Sequence, residues 1–441
     1  MRANCRPDIP TASGETIGNG ASAPRDDIGA PIAIPLTLKS RLTLRRRLQR
    51  ILAVLPDDGL RISKARTYRI PGLTCNRPRP GCPLFLPSSN GFGTLLPMNV
   101  APVVVEVVRG SLVESRHRAM LVACDPHGRR LFGLGDAGFV TYLRSAAKPI
   151  QALPLVMSGA AHHFGITRKE LAIICGSHSG ESVHVETVAQ LLEKIGLRET
   201  ALQCGVHPPF DPETARRAGP EGLTPLHNAC SGKHAGMLAL ARFWRSDLAS
   251  YLDPEHPVQR EIRGALARLA DLPPSEIGIG IDGCSAPTFA LPLERIALAY
   301  ARLVNPEAAG LEAPWCAAIA EVTRAMREYP EMVGGTRRRV DTDLLRETGG
   351  RVLAKAGAEG VYALGIFPCP RFPEGAGIAI KIEDGDERRA RTLVVLEVLR
   401  QLELLDGAAL DKLSAYYSGA VRNHRGVVVG IVRPCFRLEG A

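Results

Sequence analysis

The chain has 441 residues, of which 45% are hydrophobic, and its 55 Lys and Arg against 45 Asp and Glu give a formal net charge of +10. That much apolar material excludes a wholly disordered or fibrous protein, because it is enough to build a sizeable core. The charge is unevenly placed: residues 1–97 carry +9 and 12 of the 34 prolines, whereas residues 98–441 carry only +1. The overall charge therefore does not indicate a nucleic-acid-binding protein.

We interpret residues 1–97 as a basic, Pro-rich and poorly ordered extension, or as upstream sequence translated from a start codon placed too early. Its cationic stretch, residues 39–50, runs into a short apolar segment and leaves open a nucleic-acid or membrane-surface helix. A regular strand pattern begins straight after Met98, so we expect one globular domain at residues 98–441.

The eleven cysteines are spread over a long chain without a secretory signal peptide in front of them, which favours a reduced, cytoplasmic protein. There is no uninterrupted apolar run of about 18 residues, so we expect no membrane span.

The predicted elements follow in chain order. β-Branched and apolar runs predict strands at residues 102–108, 119–124 and 130–134, with a turn at 125–128. Apolar residues three and four apart then predict helices at 181–195, 233–245, 258–269 and 287–304. Strand patterns return at 351–355, 361–366 and 378–382, before amphipathic helices at 387–404. The order predicts an α+β fold, one antiparallel sheet with a large helical insertion.

One glycine motif does not carry the function that it suggests. Gly278, Gly280 and Gly283 spell G-x-G-x-x-G, but no βαβ unit surrounds them, so we expect a glycine-rich loop rather than a dinucleotide site.

Ser145 and Lys148 form an S-x-x-K pair. Residues three apart share a helix face, so the Lys148 amine can reach the Ser145 hydroxyl and, if neutral, remove its proton during attack. An unperturbed lysine has a pKa of about 10.4, so such a site must desolvate the amine or place another cation beside it. Pro149 places Ser145 near the start of a helix. On its own the pair also fits an ordinary surface serine and lysine.

Two later segments extend this pattern. Ser177 and Ser179 lie in S-H-S between two glycines, and Lys355 begins K-A-G at the end of a β-branched run. Serine β-lactamases and penicillin-binding proteins carry S-x-x-K, S-D-N and K-T-G in that order. Here Ser179 replaces Asn and Ala356 replaces Thr, which argues against recognition of a β-lactam carboxylate but leaves a smaller amide possible.

A second cluster joins thiols and an amine. Cys230 and Lys233 are also three apart, and Cys284 lies in a glycine-rich segment able to fold onto them. Two thiolates can hold zinc, whereas a lysine ligand must first lose its proton. Structural cysteines, or a thiol nucleophile flanked by histidines such as His234, remain alternatives.

Together these motifs resemble the asparaginase II family, the Rhizobium etli type of L-asparaginase. The resemblance covers nearly all of residues 98–441. The matching segments are R-S-A-A-K-P (144–149), C-G-S-H-S-G-E (175–181), H-N-A-C-S-G-K-H-A-G (227–236), G-I-D-G-C-S-A-P (280–287) and A-K-A-G-A-E-G (354–360).

The resemblance implies a fold like that of serine β-lactamases and glutaminases, hydrolysis of L-asparagine to aspartate and ammonia, and a homodimer. It implies that Ser145 is the nucleophile and Lys148 its activating base. Ser177 and Lys355 then form a second Ser-Lys pair that relays protons and tunes charge around the first.

The resemblance also implies a zinc (Zn²⁺) site. Its ligands would be Cys230, Lys233 and Cys284, with water as the fourth, and the metal would help to hold the substrate. Asp282 lies beside these ligands as a candidate substrate contact.

Two further side chains are candidate substrate contacts. Arg144 suits a substrate carboxylate because its planar fork binds carboxylates through two bonds, although a structural salt bridge is an equal alternative. His234 is a candidate contact as well, with a structural histidine as its alternative.

Two other functions stay open. In a zinc metallohydrolase, zinc-bound hydroxide would attack the substrate. In a non-enzymatic, penicillin-binding-like protein, the scaffold would serve as a sensor or as a nucleic-acid binder acting through its extension. For the amidohydrolase we expect L-asparagine as partner and neither a membrane nor a nucleic acid.

Overall fold

The computed structural model describes residues 101–219, 221–417 and 419–439. The predicted extension at residues 1–97 lies outside the described residues.

Eight strands of the described chain form one antiparallel sheet, in the order β10-β11-β1-β2-β9-β8-β7, with β3 paired to β2. Its strands are β1 (Val103–Arg109), β2 (Leu112–Cys124), β3 (Arg130–Leu134), β7 (Val352–Ala356), β8 (Val361–Ile366), β9 (Ala376–Ile382), β10 (Ala420–Arg422) and β11 (Val428–Pro434). A separate sheet has the order β4-β6-β5, from β4 (Val140–Tyr142), β5 (Gly278–Ile281) and β6 (Pro287–Pro292).

The helices lie mainly between β4 and β7. They are α1 (Lys148–Gln151), α2 (Leu153–Met157), α3 (Ala160–His163), α4 (Arg168–Ile174), α5 (Ser182–Lys194), α6 (Pro212–Ala218), α7 (Ser231–Phe243), α8 (Pro257–Ala270), α9 (Leu293–Val304), α10 (Ala313–Glu328), α11 (Pro330–Val333) and α12 (Val340–Glu347). After the sheet come a π-helical turn (Glu387–Arg391), α13 (Thr392–Gln401), α14 (Gly407–Lys412) and α15 (Ser414–Tyr417). The predicted α+β class, an antiparallel sheet with a large helical insertion, is confirmed.

Side-chain alternation along β2 divides the core between the two faces of the large sheet. Met120 and Val122 belong to a core shared with the helical insertion, whereas Leu121 and Ala123 belong to a core shared with α13. Because successive side chains of a strand point to opposite faces, a strand buried on both faces is apolar throughout. The β-branched runs of the sequence have this character.

One predicted helix begins later than expected, and the first part of its predicted range is a strand. The apolar run at residues 287–304 forms β6 first and helix α9 only from Leu293. Backbone pairing of β6 with both β4 and β5 overrides the helical period, and the first amides of α9 donate to Phe139 and Ala137 of the β4 connection. The expected loop at Gly278 was also wrong, since residues 278–281 form β5.

Among the described residues, no helix combines the length and the apolar character needed to cross a bilayer.

Candidate active site

Ser145 lies in a short 3-10 turn, Arg144–Ala147, that leads directly into α1. The Leu143 amide donates to Phe289 of β6 at 2.9 Å, and the Tyr300 hydroxyl donates to the carbonyl of Ala146 at 2.7 Å. These two bonds fix the turn from opposite ends. The side chain of Ser145 stays half-buried, whereas Lys148 is buried.

The Lys148 amine has three hydrogen-bond acceptors. It donates to the carbonyl of Gly176 at 2.6 Å, to Ser177 Oγ at 3.0 Å and to the carbonyl of Ala229 at 3.3 Å. An ammonium group has three donors, so these bonds use all of them. The expected direct bond between Lys148 and Ser145 is absent, although both side chains belong to the same short helical segment.

The Ser177 hydroxyl lies between two lysines. Lys148 Nζ is 3.0 Å from its oxygen, and Lys355 Nζ, arriving from β7, is 3.1 Å away. A hydroxyl has one proton to donate and two lone pairs to accept with. When one lysine is charged and the other neutral, Ser177 accepts from the first and donates to the second, which forms a continuous proton path.

Lys355 loses its charge more easily than an ordinary lysine does. Its side chain is fully buried, and it also donates to Asp341 Oδ2 at 3.3 Å and to the carbonyl of Ala356 at 2.9 Å. Burial lowers the pKa of Lys355 to about 8, because desolvation of the ammonium outweighs the attraction of Asp341, and Lys148 lowers it further.

Asp341 anchors Lys355 from the start of α12. It accepts from the Tyr362 hydroxyl at 2.6 Å and from the Ala356 amide at 3.1 Å. Burial alone would raise the pKa of Asp341, but Lys355 and the Tyr362 hydroxyl outweigh burial and keep the pKa below its ordinary value. Asp341 is therefore an anion inside the fold, and each of its partners compensates part of its desolvation.

The glycine of the K-A-G segment lets β7 approach the serine turn. A Cβ atom on Gly357 would lie 2.5 Å from the carbonyl oxygen of Leu143, closer than real Cβ contacts come. This position brings Lys355 against the 3-10 turn and the Ser177 loop.

Arg144 and Asp282 form an ion pair with each other. The guanidinium donates through Nη2 to Oδ1 at 3.0 Å and through Nε to Oδ2 at 3.3 Å. Burial would raise the pKa of Asp282, but the hydrogen bonds from Arg144 outweigh it and lower the pKa. Arg144 has a φ of 51° in the left-handed region, which is costly for a residue with a Cβ, immediately before Ser145.

Cys230, Lys233 and Cys284 meet next to this ion pair. Lys233 Nζ donates to Cys284 Sγ at 3.0 Å, and a hydrogen bond from Cys284 lowers the pKa of Cys230 while raising that of Cys284. Burial alone would lower the pKa of Lys233, but the thiols, Cys284 first, raise it. The cluster thus joins the buried Lys233 ammonium with the Cys230 sulfur, whose lowered pKa favours the thiolate, and with the Cys284 sulfur, whose raised pKa favours the thiol.

This cluster has a donor set that suits zinc. Within the described residues, no three side chains from His, Cys, Asp and Glu meet as a metal site requires. Two thiolates with a lysine nitrogen nevertheless provide the sulfur and nitrogen donors that zinc takes, with one position left for water or substrate. Metal binding would release the proton of Lys233 and the thiol protons.

His234 is set apart from the other candidates. It is fully buried, and its Nδ1 lies 2.7 Å from the hydroxyl of Tyr251. Burial lowers the pKa of His234 well below its ordinary value, so the ring is neutral. Its Nε2 has no hydrogen-bond partner in the described part of the chain. Among the described residues, the His234 ring has one hydrogen-bonded neighbour, a tyrosine, as expected of a structural histidine.

Sequence reasoning missed Asp341, Tyr362 and Arg339. Tyr362 is the one polar side chain of the apolar strand VYALGI, which is a signal that a buried hydroxyl has a partner. Arg339 and Asp341 follow two other arginines and look like a solvated charge run in the sequence. Asp341 is buried and Arg339 half-buried because of contacts with β7 and the Ser177 loop, which no local pattern encodes.

The sequence profile of the L-asparaginase II family matches residues 105–434. The chain belongs to the L-asparaginase II family. Membership in this family supports the assignment of the protein as an amidohydrolase that acts on asparagine or glutamine. All the candidate residues fall inside the matched range, and the resemblance drawn from the five motifs is confirmed.

Several solved structures of glutaminases overlap this chain in part. A probable glutaminase from Bacillus subtilis, complexed with 6-diazo-5-oxo-L-norleucine, is 16% identical over 65% of this chain and 84% of its own, with a TM-score of 0.33. A Bacillus glutaminase is 15% identical over 65% of this chain and 91% of its own, with a TM-score of 0.33. No curated protein matches the sequence. The family assignment therefore rests on the sequence profile.

Proposed function

We propose that this protein hydrolyses L-asparagine to L-aspartate and ammonia, with Ser145 as nucleophile and the Ser177–Lys355 pair as proton relay. One observation carries the proposal. The Ser177 hydroxyl lies between the two buried lysines, 3.0 Å from Lys148 and 3.1 Å from Lys355, and Lys148 follows Ser145 by one helical turn. An amide needs an activated nucleophile and an acid for departing ammonia, and two Ser-Lys pairs can supply both.

The reaction has two halves. Ser145 Oγ attacks the side-chain carbonyl of asparagine, and its proton passes to a neutral Lys148. The proton held by Lys148 then passes through Ser177 to the leaving nitrogen, the C–N bond breaks, ammonia departs and an aspartyl ester remains on Ser145. Water attacks this ester, the ester bond breaks, and aspartate leaves while Ser145 regains its proton. Attack requires Lys148 to turn from its present acceptors toward Ser145.

Arg144 and Asp282 supply complementary charges beside the nucleophile. We propose that Arg144 binds the substrate α-carboxylate and that Asp282 binds its α-ammonium group, so that the zwitterion replaces the ion pair seen between them. Both side chains are partly exposed, at 24% and 14%, which leaves the pair open to a small ligand. His234 stays a candidate substrate contact through its Nε2, which has no hydrogen-bond partner among the residues that the structure describes.

Zinc fits the same region. We propose that Cys230, Lys233 and Cys284 hold it, where a bound cation would help to hold and polarise the substrate. Metal analysis of the purified protein should give about one zinc per chain, lost in Cys284→Ser. Chelation should raise KM more than it lowers kcat. Loss of turnover at saturating asparagine would instead favour attack by zinc-bound hydroxide.

The nucleophile is tested by Ser145→Ala. Turnover of asparagine should fall by roughly 10⁴ or more, because removal of a serine nucleophile leaves only the binding and electrostatic contributions. Ammonia release measures it, with asparagine and glutamine compared side by side. Ser158→Ala is the matched control, since its hydroxyl bonds only near the end of α2. Near-normal hydrolysis by the Ser145 variant would refute the role.

We also propose that the enzyme is a cytoplasmic homodimer, in line with the family resemblance, and that residues 98–441 form the catalytic domain. Sedimentation velocity of the full chain tests the dimer. A single monomeric species at micromolar concentration would contradict it.

A further inference from the structure

Arg339 precedes α12 and reaches across to the loop that carries Ser177. Its Nη2 donates to the main-chain carbonyl of Ser177 at 2.7 Å, while Nη1 donates to Ser179 Oγ at 2.9 Å and to the carbonyl of Gly334 at 3.1 Å. The planar guanidinium fixes the directions of these donors. A single side chain therefore holds the loop from both of its serines.

The charge of Arg339 is not neutralised by a direct partner. Across residues 101–219, 221–417 and 419–439, no carboxylate forms an ion pair with it; the face of Phe210 lies 5.2 Å from its guanidinium carbon. Burial lowers the pKa of Arg339, yet an arginine remains protonated in a protein. A permanent positive charge thus lies beside the Ser177 loop.

That charge acts on Lys355. The charged or titratable groups around the Lys355 amine come from four elements, and they are Asp341 of α12, Lys148 of α1, Cys175 at the end of α4, Tyr362 of β8 and Arg339 itself. Asp341 favours the ammonium form of Lys355, whereas Lys148 and Arg339 favour the neutral amine. The neutral amine is the form that accepts a proton from Ser177.

We propose that Arg339 is a positioning residue for the Ser177–Lys355 relay, which it serves by holding the Ser177 loop and by adding positive charge beside Lys355. This role rests on the proposed function. It differs from the roles of the Ser-Lys pairs, because Arg339 forms no hydrogen bond with the side chain of Ser145 or Lys355. It acts through the main chain of the Ser177 loop and through the electrostatic effect of its charge.

Two variants of the full-length protein separate its two contributions. Arg339→Gln removes the charge and keeps a donor, whereas Arg339→Lys keeps the charge and loses the planar fork. Steady-state ammonia release from asparagine is followed between pH 6 and 10. Turnover of the wild type should rise with pH through about 8, the pKa of Lys355. Arg338→Met is the matched control, because that side chain is exposed and lies next in the chain.

For Arg339→Gln we expect kcat to fall about tenfold with KM changed less than about twofold, and the midpoint of the rise to move upward by roughly half to one pH unit. Arg339→Lys should return the midpoint to that of the wild type while kcat stays reduced.

A folded Arg339→Gln with an unmoved midpoint would overturn the proposal, even if kcat fell, because a merely structural arginine would give that result. Thermal unfolding of each variant identifies a folding defect. If Arg339→Gln does not fold, Arg339→Lys decides: an unaltered midpoint together with a reduced kcat supports the proposal, whereas an altered midpoint or an unreduced kcat counts against it. If the wild-type protein releases no ammonia from asparagine, the proposed function is contradicted, and with it the positioning role of Arg339.

Discussion

A small number of hydrogen-bond donors stabilise the buried carboxylate of Asp341. The shortest of these hydrogen bonds, at 2.6 Å, comes from the Tyr362 hydroxyl. Tyr362→Phe removes that donor without changing the packed ring. Because a hydrogen bond to a charged group contributes about 1.5–3 kcal/mol, we expect the free energy of unfolding to fall by that amount at pH 7. Urea denaturation followed by circular dichroism measures the change.

Tyr300→Phe is the matched comparison. Its hydroxyl is equally buried but donates to the neutral carbonyl of Ala146, so we expect a loss of about 1 kcal/mol. A loss for Tyr362→Phe no larger than this would contradict the account of Asp341 as a charged group.

For individual residues, the sequence predicted the positions of the candidate side chains better than it predicted their hydrogen-bond partners. Spacing placed Ser145 and Lys148 on one helical segment, and the structure has them there. The spacing did not predict that Lys148 would bond to Ser177 and two carbonyls, because these acceptors come from segments about 30 and 80 residues away. Arg144 was expected either to bind the substrate carboxylate or to form a structural salt bridge, and the sequence did not identify Asp282 as its partner.

Among the elements, the approach of β7 to the serine turn depends on Gly357. Gly357→Ala should separate the two, because a Cβ atom would meet the Leu143 carbonyl at 2.5 Å. We expect a loss of about 1–3 kcal/mol of stability and a fall in kcat, since Lys355 moves with its strand. Thermal unfolding and ammonia release report the two effects.

A second glycine provides the opposite control. Gly264 lies inside α8, and a Cβ there would meet nothing within 4 Å. Gly264→Ala should therefore stabilise the protein by about 0.5–1 kcal/mol and leave turnover unchanged. Equal effects of the two substitutions would show that close approach at Gly357 is not what requires glycine.

Element boundaries were predictable where the local pattern and the packing agree. The strands at Arg130–Leu134 and Val361–Ile366 match their predicted residues, and the helix expected at 181–195 begins and ends one residue inside. The boundary between β6 and α9 within residues 287–304 was not predictable, because nothing in this apolar run indicates where pairing with β4 and β5 ends. Of the two C-terminal strands, β10 was missed because it has only three residues, and β11 because it is partly exposed along its whole length and lacks a buried face.

For the molecule as a whole, the site lies far along the chain from the basic extension. The candidate residues span 144–355, and the family match begins at residue 105. We therefore expect a protein starting at Met98 to keep kcat and KM within about twofold of the full chain. Parallel ammonia assays test this, and a tenfold loss would assign the extension a part in catalysis.

The pairing of β1 with β11 joins residues 103–109 to 428–434. Such contacts, more than 300 residues apart, delay the formation of a sheet, because a long chain must be brought together before they form. During synthesis the first strand leaves the ribosome early and has no neighbour on that side until the last strand appears. The nascent protein thus presents an open β edge for most of translation. A change in chaperone supply should therefore alter the yield of folded protein, whereas the stability of the folded enzyme should not change.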